Sequence, residues 1–160
     1  TSLQELRSLT ETIRDLGHRP AMRFLQRTIA PLPDDVAQAL QREPGLEALH
    51  LIRSVLSDDV VVAVSFDWIP VDLLPPNTVP ESVEGSTFSF LEGLGLEPLH
   101  SVAEIHAADA GTVSWGGEGQ VTGACVLLKQ THYLSRGRPV MFSRTYFVEG
   151  RFQFIIRRSR

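Results

Sequence analysis

The chain is nearly devoid of cysteine. Cys125 is the single one in 160 residues, so no internal disulfide can staple the fold, and a reducing compartment, the cytoplasm, is expected. Long apolar runs are also missing. No stretch approaches the roughly 20 residues that a membrane-spanning helix requires, so no membrane partner is expected. The opening "TSLQELRSLTETIRDLG" mixes polar with apolar residues and lacks the apolar centre of a secretory leader. It does not begin with Met, which suggests a piece of a longer protein. Basic excess is absent too: the formal net charge is −4, and the one dense basic cluster is "RRSR" at 157–160. Surfaces that grip nucleic acid are basic, so this piece is not expected to touch DNA or RNA itself. There is no phosphate loop and no dinucleotide fingerprint. The five histidines are scattered singly. Only His100 and His106 lie near each other, on one face of one strand, with no evident third ligand. Neither a cofactor nor a metal is expected.

What is present is a repeated punctuation. "IRDLGHRP" at 13–20 and "LEGLGLEP" at 91–98 share Leu-Gly-x-x-Pro, and both Gly17/Gly95 and Pro20/Pro98 are 78 positions apart. The same offset carries Ser8 to Ser86, Asp58-Asp59 to Arg136-Gly137, and Ser65 to Ser143. A start signal, a stop signal and a turn in one register read as two degenerate copies of one unit, about 1–75 and 82–160. In the first copy, Leu3, Leu6, Leu9, Ile13 and Leu16 recur at helical spacing, and Ser2 with Glu5 forms a capping box. Gly17 and Pro20 stop that helix. "AMRFLQRTIA" reads as a strand and "PDDVAQALQRE" as a short helix. "ALHLIRSVL" and "VVVAVSFDWI" read as a hairpin turning at Asp58-Asp59. The second copy gives a helix over 86–94, a strand from 97 to about 108, and a hairpin of 125–134 with 139–148. Its short helix is replaced by "GTVSWGGEGQVTGA", whose five glycines predict an irregular loop. "RFQFIIR" reads as a closing strand, and the proline-rich "PVDLLPPNTVPESVEG" joins the halves. The fold expected is α+β, a mostly antiparallel sheet with helices packed on it, internally duplicated, in a single domain spanning 1–160.

Three stretches carry a family likeness: "FDWIPVDLLPP" at 66–76, "GSTFSFLEGLGLEP" at 85–98 and "YLSRGRPVMFSRTYFVEGRFQF" at 133–154. In this order and spacing the chain resembles the effector-binding UTRA domain of GntR-type transcription regulators of the HutC subfamily, a fold shared with chorismate lyase. The resemblance implies a cytoplasmic repressor with its N-terminal winged helix-turn-helix outside this chain. It implies a small-metabolite effector, a homodimer, and DNA contact only through the missing N-terminal domain.

Candidate ligand residues follow from both lines of reasoning. The helix start at Ser86, Thr87 and Phe88 offers backbone N–H groups without intrahelical partners. From the residues alone the favoured reading is that Ser86 does no more than cap its own helix; the resemblance reverses that and implies contact with the effector. Arg53 shares a strand face with Leu51 and Val55. By residue type alone a surface position is the safer reading; the resemblance implies contact with the effector's acidic group. Many relatives carry a second Arg two places on, where this chain has Val55. The hairpin turn sets Met141 opposite His132 and Ser143 opposite Gln130, with Met141, Ser143, Thr145 and Phe147 on one face. Relatives that bind amino sugars have Glu and Tyr at the places of Met141 and Phe147, so a smaller or more apolar organic anion is expected here. His132 could donate to that anion or be a half-exposed strand residue. Phe66 and Trp68 read as core. Because chorismate lyase shares the fold, an enzyme is the first alternative and a ligand-free dimerisation module the second. The candidate wall offers no carboxylate for acid–base work, and nothing activates Cys125, so no catalytic residue is assigned.

Overall fold

The computed structural model describes residues 9–116 and 120–160. Among them, six strands form one antiparallel sheet ordered β1-β2-β3-β6-β5-β4. These are β1 (Pro20–Pro31), β2 (Glu47–Ser57), β3 (Val60–Pro70), β4 (His100–Asp109), β5 (Ala124–Tyr133) and β6 (Pro139–Val148). The helices are α1 (Leu9–Asp15), α2 (Asp34–Ala39) and α3 (Thr87–Gly93). The capping box at Ser2 and Glu5 lies outside the described residues.

The turn chemistry explains the pairing. Asp58 and Asp59 both take positive φ, 48° and 66°, which is the two-residue loop whose twist matches a hairpin. His18 Nδ1 meets Asp58 Oδ2 at 2.8 Å, and Arg19 Nη2 donates to Asp59 Oδ2 at 2.6 Å. These contacts tie the chain leaving α1 to that loop. In the second hairpin Arg136 and Gly137 supply the positive φ. Registers repeat between the halves as well. Met22 faces Val55, and 78 residues later His100 faces Tyr133. Across the central β3–β6 seam Ser65 faces Thr145 while Asp67 faces Ser143, so the offset exchanges the two pairs. This is the arrangement of two similar halves related by a rotation about the seam.

One sheet face is closed. Val36, Ala37 and Leu40 of the α2 region pack on Ala48, Trp68 and Phe142. The glycine-rich connection packs Trp115 beside Val64, Cys125 and Val148, and the Trp115 indole donates to the Ala110 carbonyl at 2.9 Å. Among its described residues that connection is irregular after a 3-10 turn at Ala110–Thr112, as its glycines predict. Gly116 has φ +70°, and a Cβ there would come within 2.4 Å of Leu25. The other face carries both longer helices. Leu91 of α3 packs with Leu49, Leu51, Ile69 and Met141 near one end of the strands. Ile13 of α1 packs with Val55, Ala63 and Phe147 toward the other. Between the two helices the face stays open.

Two expectations need correction. The strand after α3 begins at His100 rather than 97. "RFQFIIR" is no strand and makes only an isolated bridge at Ile155. Both sides of β6 are already taken by β3 and β5. The segment therefore lies across the open face, and its alternating aromatic residues pack on Phe147.

Candidate functional site

The open face between α1 and α3 is a cleft of about 650 Å³. Register dictates its floor. One row across the sheet reads Leu51, Asp67, Ser143, Gln130; the next reads Arg53, Ser65, Thr145, Leu128. A polar band thus crosses the middle of an otherwise apolar face. Met141 and His132 form the row beyond it, opposite each other, and Gln130 faces Ser143; the hairpin turn predicts both pairings. All nine candidates line this one cleft: Arg53 from β2, Ser86, Thr87 and Phe88 at the α3 start, Gln130 and His132 from β5, and Met141, Ser143 and Phe147 from β6. Phe66 and Trp68 belong to the closed face, where Trp68 is core.

Asp67 organises the band. It is 1% exposed. Arg53 Nη2 donates to its Oδ2 at 3.1 Å, Thr87 Oγ1 to the same oxygen at 2.7 Å, and Ser65 Oγ to its Oδ1 at 3.0 Å. Burial by itself would raise the Asp67 pKa. The guanidinium, with hydroxyl donors from Thr87, Ser143 and Ser65, outweighs burial and holds the carboxyl below its ordinary range. The group is a carboxylate at neutral pH and joins β2, β3 and the start of α3.

Proton bookkeeping extends the network. Ser65 spends its one proton on Asp67, so Thr145, 3.1 Å away, must be the donor to Ser65. Ser143 faces Asp67 across the seam, placed to turn its proton toward the carboxylate. Its oxygen is then left to accept from His132 Nε2–H across a long 3.4 Å contact. In that arrangement His132 Nδ1 is the bare nitrogen, and it is buried without a partner. Burial drives the His132 pKa down to about 4, only partly offset by the Asp67 charge. The ring is neutral at physiological pH and sits edge-on to Phe88, 5.4 Å between centroids.

Arg53 is not a surface group. Its side chain is 13% exposed, and Nε is buried with no partner among the described residues. A buried orphan donor calls for an explanation. With Nη2 committed to Asp67, Nη1 is what the guanidinium can offer to the cleft. The electrostatics differ from a bare cationic pocket: Arg53 and Asp67 cancel. Ser86 accepts from the Ser89 N–H at 3.1 Å and donates to Ser89 Oγ at 2.9 Å, so its hydroxyl is engaged in capping α3.

Residue patterns alone overlook Asp67 and Ser65 as site residues, while they do place Thr145 on the β6 wall. Asp67 left a signal, being the one charge in the eleven residues of β3. A charge mid-strand in an apolar run is rarely buried unpaired, and the hairpin register sets Arg53 diagonally across from it. On the far side His106 Nε2 meets Glu104 at 3.0 Å and does not join His100. Among the described residues no three metal-ligating side chains gather, and none of the helices is long and apolar enough to span a membrane.

Comparison with known proteins places this architecture. A family model described as the UTRA domain matches residues 15–153. The chain belongs to the UTRA family. Members of this kind are effector-binding domains of GntR-family transcription regulators. A curated relative, the HTH-type transcriptional regulator GgaR of Escherichia coli K12, is 27% identical over 73 residues, covering 46% of this chain and 29% of that protein. The chain thus matches just under a third of the length of that regulator. Among solved structures, PhnF from Mycobacterium smegmatis superposes with a TM-score of 0.83 at 17% identity, over 99% of this chain and 71% of that one. The C-terminal domain of Yurk from Bacillus subtilis gives 0.73 at 22%, over 84% and 94%. At such identities these likenesses establish the fold: α+β, with a six-stranded antiparallel sheet.

Proposed function

We propose that this UTRA domain senses a small acidic metabolite held in the cleft between α1 and α3. It would act as the effector and dimerisation part of a cytoplasmic GntR-type repressor of the HutC subfamily. DNA would be gripped by a winged helix-turn-helix outside this chain, and the domain would pair with a second copy to match a two-fold operator. The carrying observation is Arg53: a largely buried guanidinium, locked by Asp67, with an orphan Nε and a free Nη1 on the floor of a cleft that nine candidate residues line.

The cancelled charge refines the ligand. A multiply charged anion would sit against a buried carboxylate at a Coulombic cost. A single carboxylate or a similarly charged acid fits better. Met141 and Phe147 bring no further polar group, which also weighs against an amino sugar.

Catalysis is disfavoured by the same network. Asp67 is held ionised by its donors and His132 is held neutral by burial, so neither is poised for proton transfer near neutral pH. Incubation with chorismate is expected to release no pyruvate.

The test is a thermal-shift screen of small carboxylic acids, phosphates and phosphonates. A ligand that binds the folded form alone raises the melting midpoint. At least one singly charged acid should do so. A flat response across all three classes would remove the sensor reading and favour a ligand-free dimerisation module.

A further inference from the structure

The segment after β6 returns over the cleft. Arg151 Nη1 donates to the Val61 carbonyl at 2.9 Å, which anchors the return beside the β2–β3 hairpin. Phe152 and Phe154 then join Phe147 in a three-ring cluster, with centroid separations of 5.4, 4.5 and 5.2 Å. Together with Ile156 they line the cleft. Ile156 remains 51% exposed, and Ile105 of β4 and Leu99 just before it, 56% and 65% exposed, line the cleft too.

The floor continues this apolar wall. Next to the row of Arg53, Ser65 and Thr145 comes the row of Val55, Ala63 and Phe147. Successive rows on one face are two residues, or about 7 Å, apart. The cleft is therefore two-ended. Its polar band offers one guanidinium edge and hydroxyls, with Arg53 and Asp67 cancelling; one row on, the floor is aliphatic and aromatic, while Thr10, Thr12 and Asp15 of α1 line the cleft beside it. Core packing accounts for Val55, Ala63 and Phe147. It does not account for the half-exposed Ile156, Leu99 and Ile105 that line the same cleft.

We propose that the cleft selects a monoacid bearing an apolar group about one sheet row from its acidic end, and that Phe152, Phe154 and Ile156 form the wall that reads this group. The proposal rests on the reading of the cleft as an effector site. It adds the C-terminal segment as the specificity element and an amphiphilic acid as the ligand class.

The experiment is a calorimetric titration of the 160-residue chain with straight-chain monocarboxylates, acetate, butyrate, hexanoate and octanoate, with hexanamide as the uncharged control. Each methylene that reaches the wall should tighten binding about three- to fourfold. Hexanamide should bind at least tenfold more weakly than hexanoate. Phe154→Ala and Ile156→Ser should flatten the chain-length dependence while leaving acetate affinity unchanged, a split that general damage to the fold does not produce. Ile156 is half-exposed, so its variant should keep the wild-type unfolding midpoint. Acids that bind with no chain-length dependence, or a steep dependence that survives both substitutions, would overturn the wall and leave the effector site standing. Equal binding of hexanamide would overturn the acid. Binding of phosphates or phosphonates but of none of these carboxylates would overturn this ligand class alone. No binding by any of them would overturn the effector reading and this proposal with it.

Discussion

Arg53→Met, Asp67→Asn and the double replacement form a cycle that weighs the pair at the centre of the cleft. Asp67 is 1% exposed and the Arg53 side chain 13%, so both charges are largely out of water. Removing one partner of such a pair leaves the other uncompensated, at a cost of about 3 kcal/mol or more. Asn at 67 keeps one acceptor oxygen, for Ser65 or for Thr87 but not for both, so the loss there combines the charge left on Arg53 with one lost acceptor. Met at 53 strands the carboxylate, which keeps its hydroxyl donors. Each single replacement should therefore cost about 3 kcal/mol, against a total stability of roughly 5–15 kcal/mol. The double replacement leaves neither charge and should cost no more than about 4 kcal/mol, well short of the roughly 6 kcal/mol that additivity requires. Urea unfolding at pH 7 reads this directly. With a slope near 2 kcal/mol per molar, each single should lower the midpoint by about 1.5 M and the double by no more than about 2 M. A double-mutant midpoint lowered by the sum of the singles would refute the coupling, and with it the claim that Asp67 fixes Arg53.

Three further outcomes are expected. His132 has a folded pKa of about 4 against an ordinary 6.5, so the unfolded chain binds the extra proton first. Its contribution is full above pH 6.5 and is lost as pH falls toward 4, about 3 kcal/mol in all. His50, lowered mainly by burial, acts with the same sign, while Asp67, also lowered, acts below the ordinary carboxylate pKa of 3.8. His132→Phe should make the stability-against-pH curve between 7.5 and 4 shallower, and an unchanged slope would contradict the buried neutral ring. Gly116→Ala should destabilise by about 1–3 kcal/mol in urea unfolding, since the new methyl meets Leu25 and the backbone sits at positive φ. The C-terminal wall variants should alter chain-length preference without altering acetate binding.

Much of this architecture can be read from local chemistry. The Asp58-Asp59 and Arg136-Gly137 turns place both hairpins, and the parity of the strands then brings His132 to Met141 and Gln130 to Ser143. Ser86 is visible as the cap of α3 from its position ahead of an apolar-periodic run. Asp67 is harder to assign. Its role depends on β3 becoming the central partner of both β2 and β6, a long-range pairing that no local pattern specifies. The segment after β6 misleads for a related reason. Phe152, Phe154 and Ile156 alternate as a strand would, yet a strand also needs a free edge, and β6 has none. The register offset of 78 is legible only because the two halves keep the same turns. Their side chains have diverged, with a glycine-rich loop standing in place of α2 in the second half.

The central claim, a small acid seated on the polar band, is tested most directly by amide NMR of the wild-type chain. It would be titrated to saturation with the acid that raises the melting midpoint most. The largest shifts are predicted at Arg53, Asp67, Thr87, Gln130 and Ser143, with little change around the Asp35, Lys129 and Tyr133 groove on the opposite face. Shifts concentrated in that groove, with the polar band unmoved, would contradict it.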